Sequence, residues 1–229
     1  MSPYRRIVVG TDGSDSARRA VEQAAWLAGR VGSELMISHA YQDLPEERGA
    51  ARQVGASLLR DACADLPVTP TPDLREGDAA EALLALGAEA GPNLVVVGNR
   101  GLGRRRVVLG NVPGKVAHRA PTDVLVAHTT GPADPRYERM ILATDGSPTA
   151  ARALLAGRSL AEAVGMEASE LRVTEGDPAA GIVEAARDRD VDVIVVGNKG
   201  MMGARRFVAS VPSKVLRHAP CHVLLVKTT

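Results

Sequence analysis

Small and polar residues follow several apolar segments in the first half of the chain, and their types suit the binding of a phosphorylated ligand. Glycine lets a backbone approach a ligand closely, and exposed N–H groups at a helix start attract anions. Arg100 and three consecutive arginines at 104–106 add positive charge nearby. We therefore predict a nucleotide-type site here. Its candidate residues are Thr11, Asp12, Gly13, Ala40, Gly98, Arg100, Gly101, Gly103, Gly110, Asn111 and Val112.

The same residues also have a purely structural interpretation. Glycines after strands often serve only as turns, and a run of arginines is usually a solvated surface. On these features alone, a binding site and a set of turns remain equal alternatives.

The segment from Gly110 to Lys115 has some features of a P-loop, but it does not meet that motif's requirements. Its spacing is one residue short, and Val116 replaces the Ser or Thr that would hold magnesium. The matching segment of the second half has Ala209 and Ser213 in place of glycines. We do not expect a Walker A site here.

The other polar residues do not indicate a dedicated active site. Neither Ser14 nor Ser147 lies in a nucleophile-elbow sequence, and no Ser-His-Asp set or pair of carboxylates is evident. The histidines lack the spacing of zinc ligands. They are His39, His118, His128, His218 and His222. The sequence gives no case for a catalytic residue or a metal centre.

The elements that must position the candidate residues occur twice in the chain. IVVGTDGS at 7–14 returns as MILATDGS at 140–147, an offset of 133 residues. EGD at 76–78 returns at 175–177, and the matches from there to the C-terminus keep an offset of 99. Subtracting 99 from 133 leaves 34 residues that the second copy lacks before its EGD turn. We predict two tandem domains, 1–130 and 137–229, joined by the Gly- and Pro-containing TTGPADPR.

Apolar segments alternate with helical patterns within each copy, which predicts an α/β fold with a doubly wound parallel sheet in each domain. The second domain is expected to be reduced to about four strands, because the counterpart of 35–40 is taken as lost with the missing segment. Predicted strands of the first copy are 7–10, 35–40, 69–75, 94–98 and 124–127. Those of the second lie near 141 and 173, and at 193–196 and 223–226.

The composition excludes several classes of protein. The chain has 28 basic and 27 acidic residues, so it carries no excess charge for nucleic acid, and it has no nucleic-acid-binding motif. No apolar run approaches the length of a membrane span. Cys63 and Cys221 lie in no CxxC motif and suit reduced thiols. Since the N-terminus leads directly into a strand, we expect no signal peptide and a cytoplasmic protein.

Taken as a set, the motifs resemble the universal stress protein family over nearly the whole chain. They are TDGS after an apolar strand, a strand ending in His-Ala, VVGNRG or VVGNKG, and NVPGKV or SVPSKV before a last apolar strand. The resemblance implies domains of the adenine nucleotide alpha hydrolase type and ATP as a ligand, with or without magnesium. It also implies that the strands at 123–127 and 222–226 pair within one chain, forming a pseudo-dimer, with a homodimer as a further option.

The resemblance also implies roles for individual residues of the first copy. Asp12 would contact the nucleoside, and the backbone of Ala40 would meet adenine. The ribose–phosphate loop would be shaped by two glycines, Gly98 and Gly101. The phosphates would be received by Gly110, Asn111 and Val112.

Both copies depart from the signature of ATP-binding members, G-x2-G-x9-G-[ST]. Eight residues separate Gly101 from Gly110, and Asn111 replaces the usual Ser or Thr. Asparagine can still cap a helix, so binding stays an expectation for the first copy. In the second copy Ala209 replaces the third glycine, and the adenine-contacting strand is taken as deleted. We therefore expect no ATP in the second copy.

The function expected from the sequence is that of a stress-response regulatory protein. It would bind ATP or another adenine nucleotide in its first domain, with the second domain a degenerate pseudo-dimer partner. One alternative is a structural or interaction protein of the same fold that binds no nucleotide. Another is a slow ATPase, although no general base for water is evident.

Overall fold

Strands and helices alternate along the chain, as the sequence predicts. The structure is a computed structural model, and it describes residues 2–43, 49–89, 93–99, 111–130, 137–199 and 210–228. Within these residues the strands are β1 (Arg6–Gly10), β2 (Glu34–Tyr41), β3 (Thr71–Glu76), β4 (Asn93–Gly98), β5 (Asp123–Ala127), β6 (Arg139–Ala143), β7 (Glu167–Leu171), β8 (Val193–Gly197) and β9 (His222–Val226). The helices are α1 (Asp15–Val31), α2 (Ala50–Cys63), α3 (Ala79–Gly87), α4 (Asn111–Arg119), α5 (Pro148–Val164), α6 (Pro178–Asp188) and α7 (Val211–His218).

The strands pair into one sheet, whose order is β3-β2-β1-β4-β5-β9-β8-β6-β7. Neighbouring strands run parallel, except that β5 and β9 run antiparallel with Leu125 opposite Leu224. The predicted pairing of these two strands within one chain is confirmed, as is the α/β fold with parallel strands. Because the direction reverses at this pair, the strands of the two halves point their carboxyl ends in opposite directions.

Helices cover both faces of the sheet, and the alternation of side chains along each strand supplies both cores. In β1, Ile7 and Val9 face the core beneath α1, whereas Val8 faces the core beneath α3. Such strands are apolar on both faces, as buried parallel strands are. The cores contain mostly Val, Leu, Ile and Ala, which agrees with the scarcity of aromatic residues.

The first helix of each half begins and ends with the same signals. Ser14 and Ser147 precede α1 and α5, and each side chain accepts a hydrogen bond from the N–H three residues later. Gly32 and Gly165 end these helices with φ of 69° and 84°. Positive φ is the conformation that glycine adopts most readily at a helix end. Both helices therefore have 17 residues.

The second half retains a counterpart of β2, so the prediction that this strand is lost is wrong. β7 pairs with β6 with Glu167 opposite Arg139, just as Glu34 of β2 lies opposite Arg6. The offset of 133 residues therefore continues through β7. The segment that is missing matches residues 42–75, which carry α2 and nearly all of β3. The strand predicted near Val173 is this β7, ending at Leu171.

Contacts between the two halves are made at both ends of the β5–β9 pair. The hydroxyl of Tyr137 donates to Oε1 of Gln23 at 2.5 Å. The ring of Tyr137 also makes edge contacts with Trp26 and His222, with centroids 4.8 and 4.9 Å away. Asp123 accepts from the Tyr4 hydroxyl at 2.8 Å and from a backbone N–H beyond β9 at 2.7 Å. Tyr137 and His222 thus lie at one end of the pair and Asp123 lies at the other.

Among the described residues, none of the helices has the length and apolarity needed to cross a membrane.

Candidate functional site

The TDGS turn after β1 holds three of the predicted site residues in a fixed arrangement. The N–H of Gly13 donates to Oγ1 of Thr11 at 3.2 Å, and the N–H of Ser14 donates to Oδ1 of Asp12 at 3.0 Å. Gly13 has a φ of 77°, which a residue with a side chain rarely adopts. The turn therefore leaves the Asp12 carboxylate exposed but oriented, with one oxygen already bonded.

The end of β2 fixes the same turn from the neighbouring strand. The N–H of Thr11 donates to the carbonyl of Ser38 at 2.9 Å, and Nδ1 of His39 lies 2.8 Å from the carbonyl oxygen of Thr11. The His39 ring is packed against α2, where a Cβ added at Gly55 would lie 2.7 Å from its Cδ2 atom. Sequence reasoning did not assign His39 this positioning role.

Ala40 has a backbone suited to contact a ligand, because residues of a strand direct their N–H and C=O groups to alternate sides. The carbonyl of Ser38 points toward β1, where it accepts from Thr11. The N–H and C=O of Ala40, two residues later, therefore point to the same side. The register of the β1–β2 pair ends at Gly10 opposite Ser38. The backbone groups of Ala40 therefore lie beyond the end of β1, next to the TDGS turn.

A hydrogen-bonded network that sequence reasoning missed supports Gly98, the last residue of β4. Oδ1 of Asn99 accepts from Oγ1 of Thr129 at 2.8 Å, and that hydroxyl lies 2.7 Å from Oγ of Ser16. A Cβ added at Gly98 would lie 3.0 Å from the same Ser16 oxygen. Only a glycine fits easily between β4 and the start of α1.

The second half contains the same network, so the repeat in the sequence could have revealed it. Asn198 and Thr228 of the second half make the same pair of bonds, from the Thr228 N–H at 2.9 Å and its hydroxyl at 3.0 Å. Both residues match Asn99 and Thr129 at the offset of 99. Polar residues retained in two copies of a degenerate repeat therefore indicated a shared structural network.

The start of α4 lies at the same end of the sheet. Asn111 is exposed there, and Val112 is half-buried. Lys115 of this helix pairs with Asp78 at 3.0 Å, and this hydrogen bond is the main cause of the lowered pKa of Asp78. Asp78 also caps α3. The lysine of the P-loop-like segment thus has a structural partner, which agrees with the rejection of a Walker A site.

Most of the predicted site residues lie at the switch point of the sheet. β1 has β2 on one side and β4 on the other, so the chain reverses its winding direction here. In open parallel sheets, ligands bind at such switch points, beyond the carboxyl ends of the strands. The predicted site residues at this end of the sheet are Thr11, Asp12, Gly13, Ala40, Gly98, Asn111 and Val112. Those outside the described residues are Arg100, Gly101, Gly103 and Gly110.

The second half has the same turn with a different environment. The N–H of Ser147 donates to Oδ1 of Asp145 at 2.9 Å, as Ser14 does to Asp12. Hydrogen bonding by Ser147, followed by the charge of Lys199, holds the pKa of Asp145 below its usual value. No group of three or more His, Cys, Asp or Glu side chains within the described ranges could hold a metal ion.

Comparison with known proteins gives consistent results for both halves. The model of the universal stress protein family matches residues 3–128 and 159–227. A universal stress protein of Mycobacterium tuberculosis is 39% identical over 157 residues, which is 57% of this chain and 100% of that protein.

Solved structures extend the comparison to the fold. The crystal structure of a universal stress protein from Archaeoglobus fulgidus covers 98% of this chain and 98% of its own, with a TM-score of 0.81 and 17% identity. It therefore shares the fold across both halves. A universal stress protein solved in complex with cAMP is 36% identical, covering 56% of this chain and 98% of its own with a TM-score of 0.46.

Proposed function

The chain belongs to the universal stress protein family, and from this premise we propose that its first half binds an adenine nucleotide, in the first place ATP. The nucleotide is a regulatory ligand that changes conformation or partner choice in a stress response. The second half is a degenerate copy that completes the sheet as a pseudo-dimer partner. The observation that carries this proposal is the arrangement of Asp12, Ala40 and Gly98 around the switch point of the sheet.

Each of these residues offers a group that suits one part of the nucleotide. The exposed carboxylate of Asp12 can accept hydrogen bonds from the ribose hydroxyl groups. The backbone N–H and C=O of Ala40 can pair with the edge of the adenine ring, because they extend past the end of β1. The start of α4 at Asn111 offers N–H groups and a positive helix end to the phosphates.

The proposal treats the nucleotide as a ligand rather than a substrate. Among the described residues at this end of the sheet, His39 is bonded to the carbonyl of Thr11, and Asp12 to the N–H of Ser14. Both groups therefore position the turn. In this proposal neither group acts as the base for an attacking water, and the second oxygen of Asp12 accepts from the ribose instead.

Calorimetric titration of the nucleotide-stripped full chain with ATP and magnesium tests the proposal. We expect one ATP per chain, with affinity reduced by about tenfold or more in Asp12→Ala because a charged hydrogen-bond acceptor is lost. Asp145→Ala is the matched control, since it removes the same residue from the second TDGS turn. It should leave the affinity unchanged. ADP, AMP and cAMP complete the ligand panel.

Two results would contradict the proposal. Absence of binding at millimolar ATP would favour the alternative of an interaction protein that binds no nucleotide. Equal loss of affinity in Asp145→Ala and Asp12→Ala would move the site away from the first half or show that the effect is global.

A further inference from the structure

We propose that the second half contains a separate ligand site, which takes a compact and mostly apolar molecule rather than a nucleoside polyphosphate. The described residues line a partly open cavity of about 570 Å³ at the carboxyl ends of β6, β7 and β8, bordered by the starts of α5 and α7. Sites for small molecules commonly have volumes of about 300–1,000 Å³. The proposal stands on this cavity and is independent of nucleotide binding in the first half.

The walls of the cavity are mainly aliphatic. Leu171 and Val173 line it from β7 and the residues that follow, Ile182 from α6, Val196 from β8 and Val211 from α7. These side chains adjoin the core on the same face of the sheet. A ligand that covers them removes apolar surface from water, and this contribution does not depend on phosphate groups.

The apolar character of the walls follows from the segment that the second half lacks. In the first half, the counterpart of Leu171 is Ser38, whose hydroxyl donates to Oδ2 of Asp73 on β3 at 2.8 Å. The second half has no counterpart of Asp73. Leucine at this half-buried position replaces that polar pair with apolar surface. Similarly, Val173 replaces the smaller Ala40 beside the turn.

Most polar groups at the cavity already have partners within the protein. Thr144 accepts a hydrogen bond from the N–H of Gly146, and Thr228 donates to Asn198. Among the residues that the structure describes, the charged groups lining the cavity are one carboxylate, Asp145, and one ammonium, Lys199. Their opposite charges do not favour a polyanion. They suit a ligand with a single polar end that donates to the carboxylate or accepts from the ammonium.

The probe for this site is 8-anilinonaphthalene-1-sulfonate, an aromatic molecule with one charged group whose fluorescence rises in apolar surroundings. We expect saturable binding of one probe per full chain, undiminished by saturating ATP. Ala150→Phe adds a ring to the half-buried cavity wall on α5 and should weaken probe binding about tenfold by overfilling the space. Leu155→Phe is the control, since it adds a ring on the exposed side of the same helix.

A second substitution that fills the cavity keeps the test valid if Ala150→Phe does not fold. Val173→Phe enlarges the opposite wall, and circular dichroism with thermal unfolding identifies which variants keep the native fold. A folded filling variant that binds the probe as tightly as Leu155→Phe would overturn the proposal. So would non-saturable binding to the native chain, or complete displacement of the probe by ATP, which would put the probe at the nucleotide. Failure of ATP to bind the first half would leave these results unaffected.

Discussion

At the scale of single residues, His39 is the group that holds the TDGS turn in the position the proposed site requires. Its Nδ1 contacts the carbonyl oxygen of Thr11, and its ring is packed against α2 at Gly55. The Asp12 carboxylate depends on the same turn for its orientation. Nucleotide affinity should therefore respond to changes at α2, although this helix contributes no predicted contact.

Gly55→Ala tests this dependence. The added methyl group would lie 2.7 Å from Cδ2 of His39 and 3.0 Å from Leu74, so the ring must move away from the turn. We expect a loss of about 1–2 kcal/mol in the free energy of unfolding, since overpacking exceeds the gain in helix propensity. ATP affinity should also fall. Urea unfolding and ATP titration measure the two effects.

Val54→Ala is the control for this substitution on the same helix. Val54 is 61% exposed, so its truncation should change the free energy of unfolding by less than about 0.5 kcal/mol. If Gly55→Ala were as stable as the control and bound ATP equally well, the role given to His39 would be incorrect.

At the scale of elements, the β5–β9 pair depends on a neutral histidine at the junction of the halves. Burial, with the nearby charge of His128 as a smaller cause, lowers the pKa of His222 from 6.5 to about 3. Neutral His222 accepts a hydrogen bond from the backbone N–H of His128 through Nδ1 at 3.1 Å. Protonation would remove this acceptor and place a charge against the ring of Tyr137.

The stability of the chain should therefore fall as the pH decreases from about 6.5 toward 3, because the unfolded chain binds a proton that native His222 does not. His222→Asn keeps a hydrogen-bond acceptor but does not titrate. Between pH 7 and pH 5, we expect it to lose about 2 kcal/mol less free energy of unfolding than the native chain. Denaturant unfolding at each pH measures this difference.

Two comparisons isolate the contribution of His222. Burial raises the pKa of Asp123, so protonation of Asp123 increases stability as the pH falls, opposite to the effect of His222. Asp123 is present in both the native chain and His222→Asn, so its contribution cancels in the comparison. His218→Asn controls for the replacement of a histidine by asparagine at an exposed position of α7, away from the β5–β9 pair. An identical slope for His222→Asn and the native chain would contradict the assignment of a neutral His222.

Element by element, the sequence predicted the buried strands well and the edge of the second half poorly. β1 and β4 are continuous apolar runs because both of their faces are covered. β7 has the sequence EASEL, and most of its side chains are exposed at the edge of the sheet, so it lacks a strand pattern. β7 forms because it pairs with β6, and this pairing cannot be recognised from the local sequence pattern.

The site itself was predictable only where residue type determined the geometry. The TDGS turn requires Gly13 and a short polar side chain, so Asp12 could be placed at the end of β1 from the sequence. The network of Ser16, Asn99 and Thr129 joins residues far apart in the chain. Their proximity results from the packing of α1 against β4 and was not visible in any one motif.

At the scale of the whole molecule, two related halves share one sheet but present their strand ends in opposite directions. The proposed nucleotide site and the cavity of the second half are therefore separate in space. The shorter second half has lost α2 and nearly all of β3, while it keeps the strands that continue the sheet.

The most direct test of the central claim is to locate bound adenine nucleotide in the chain by photolabelling with 8-azido-ATP, followed by peptide mass spectrometry. We expect label in a peptide of the first half that contains the end of β2 at Ala40, with protection by excess ATP and reduced labelling in Asp12→Ala. ATP-protected label confined to the second half would contradict the account, as would labelling that ATP does not prevent.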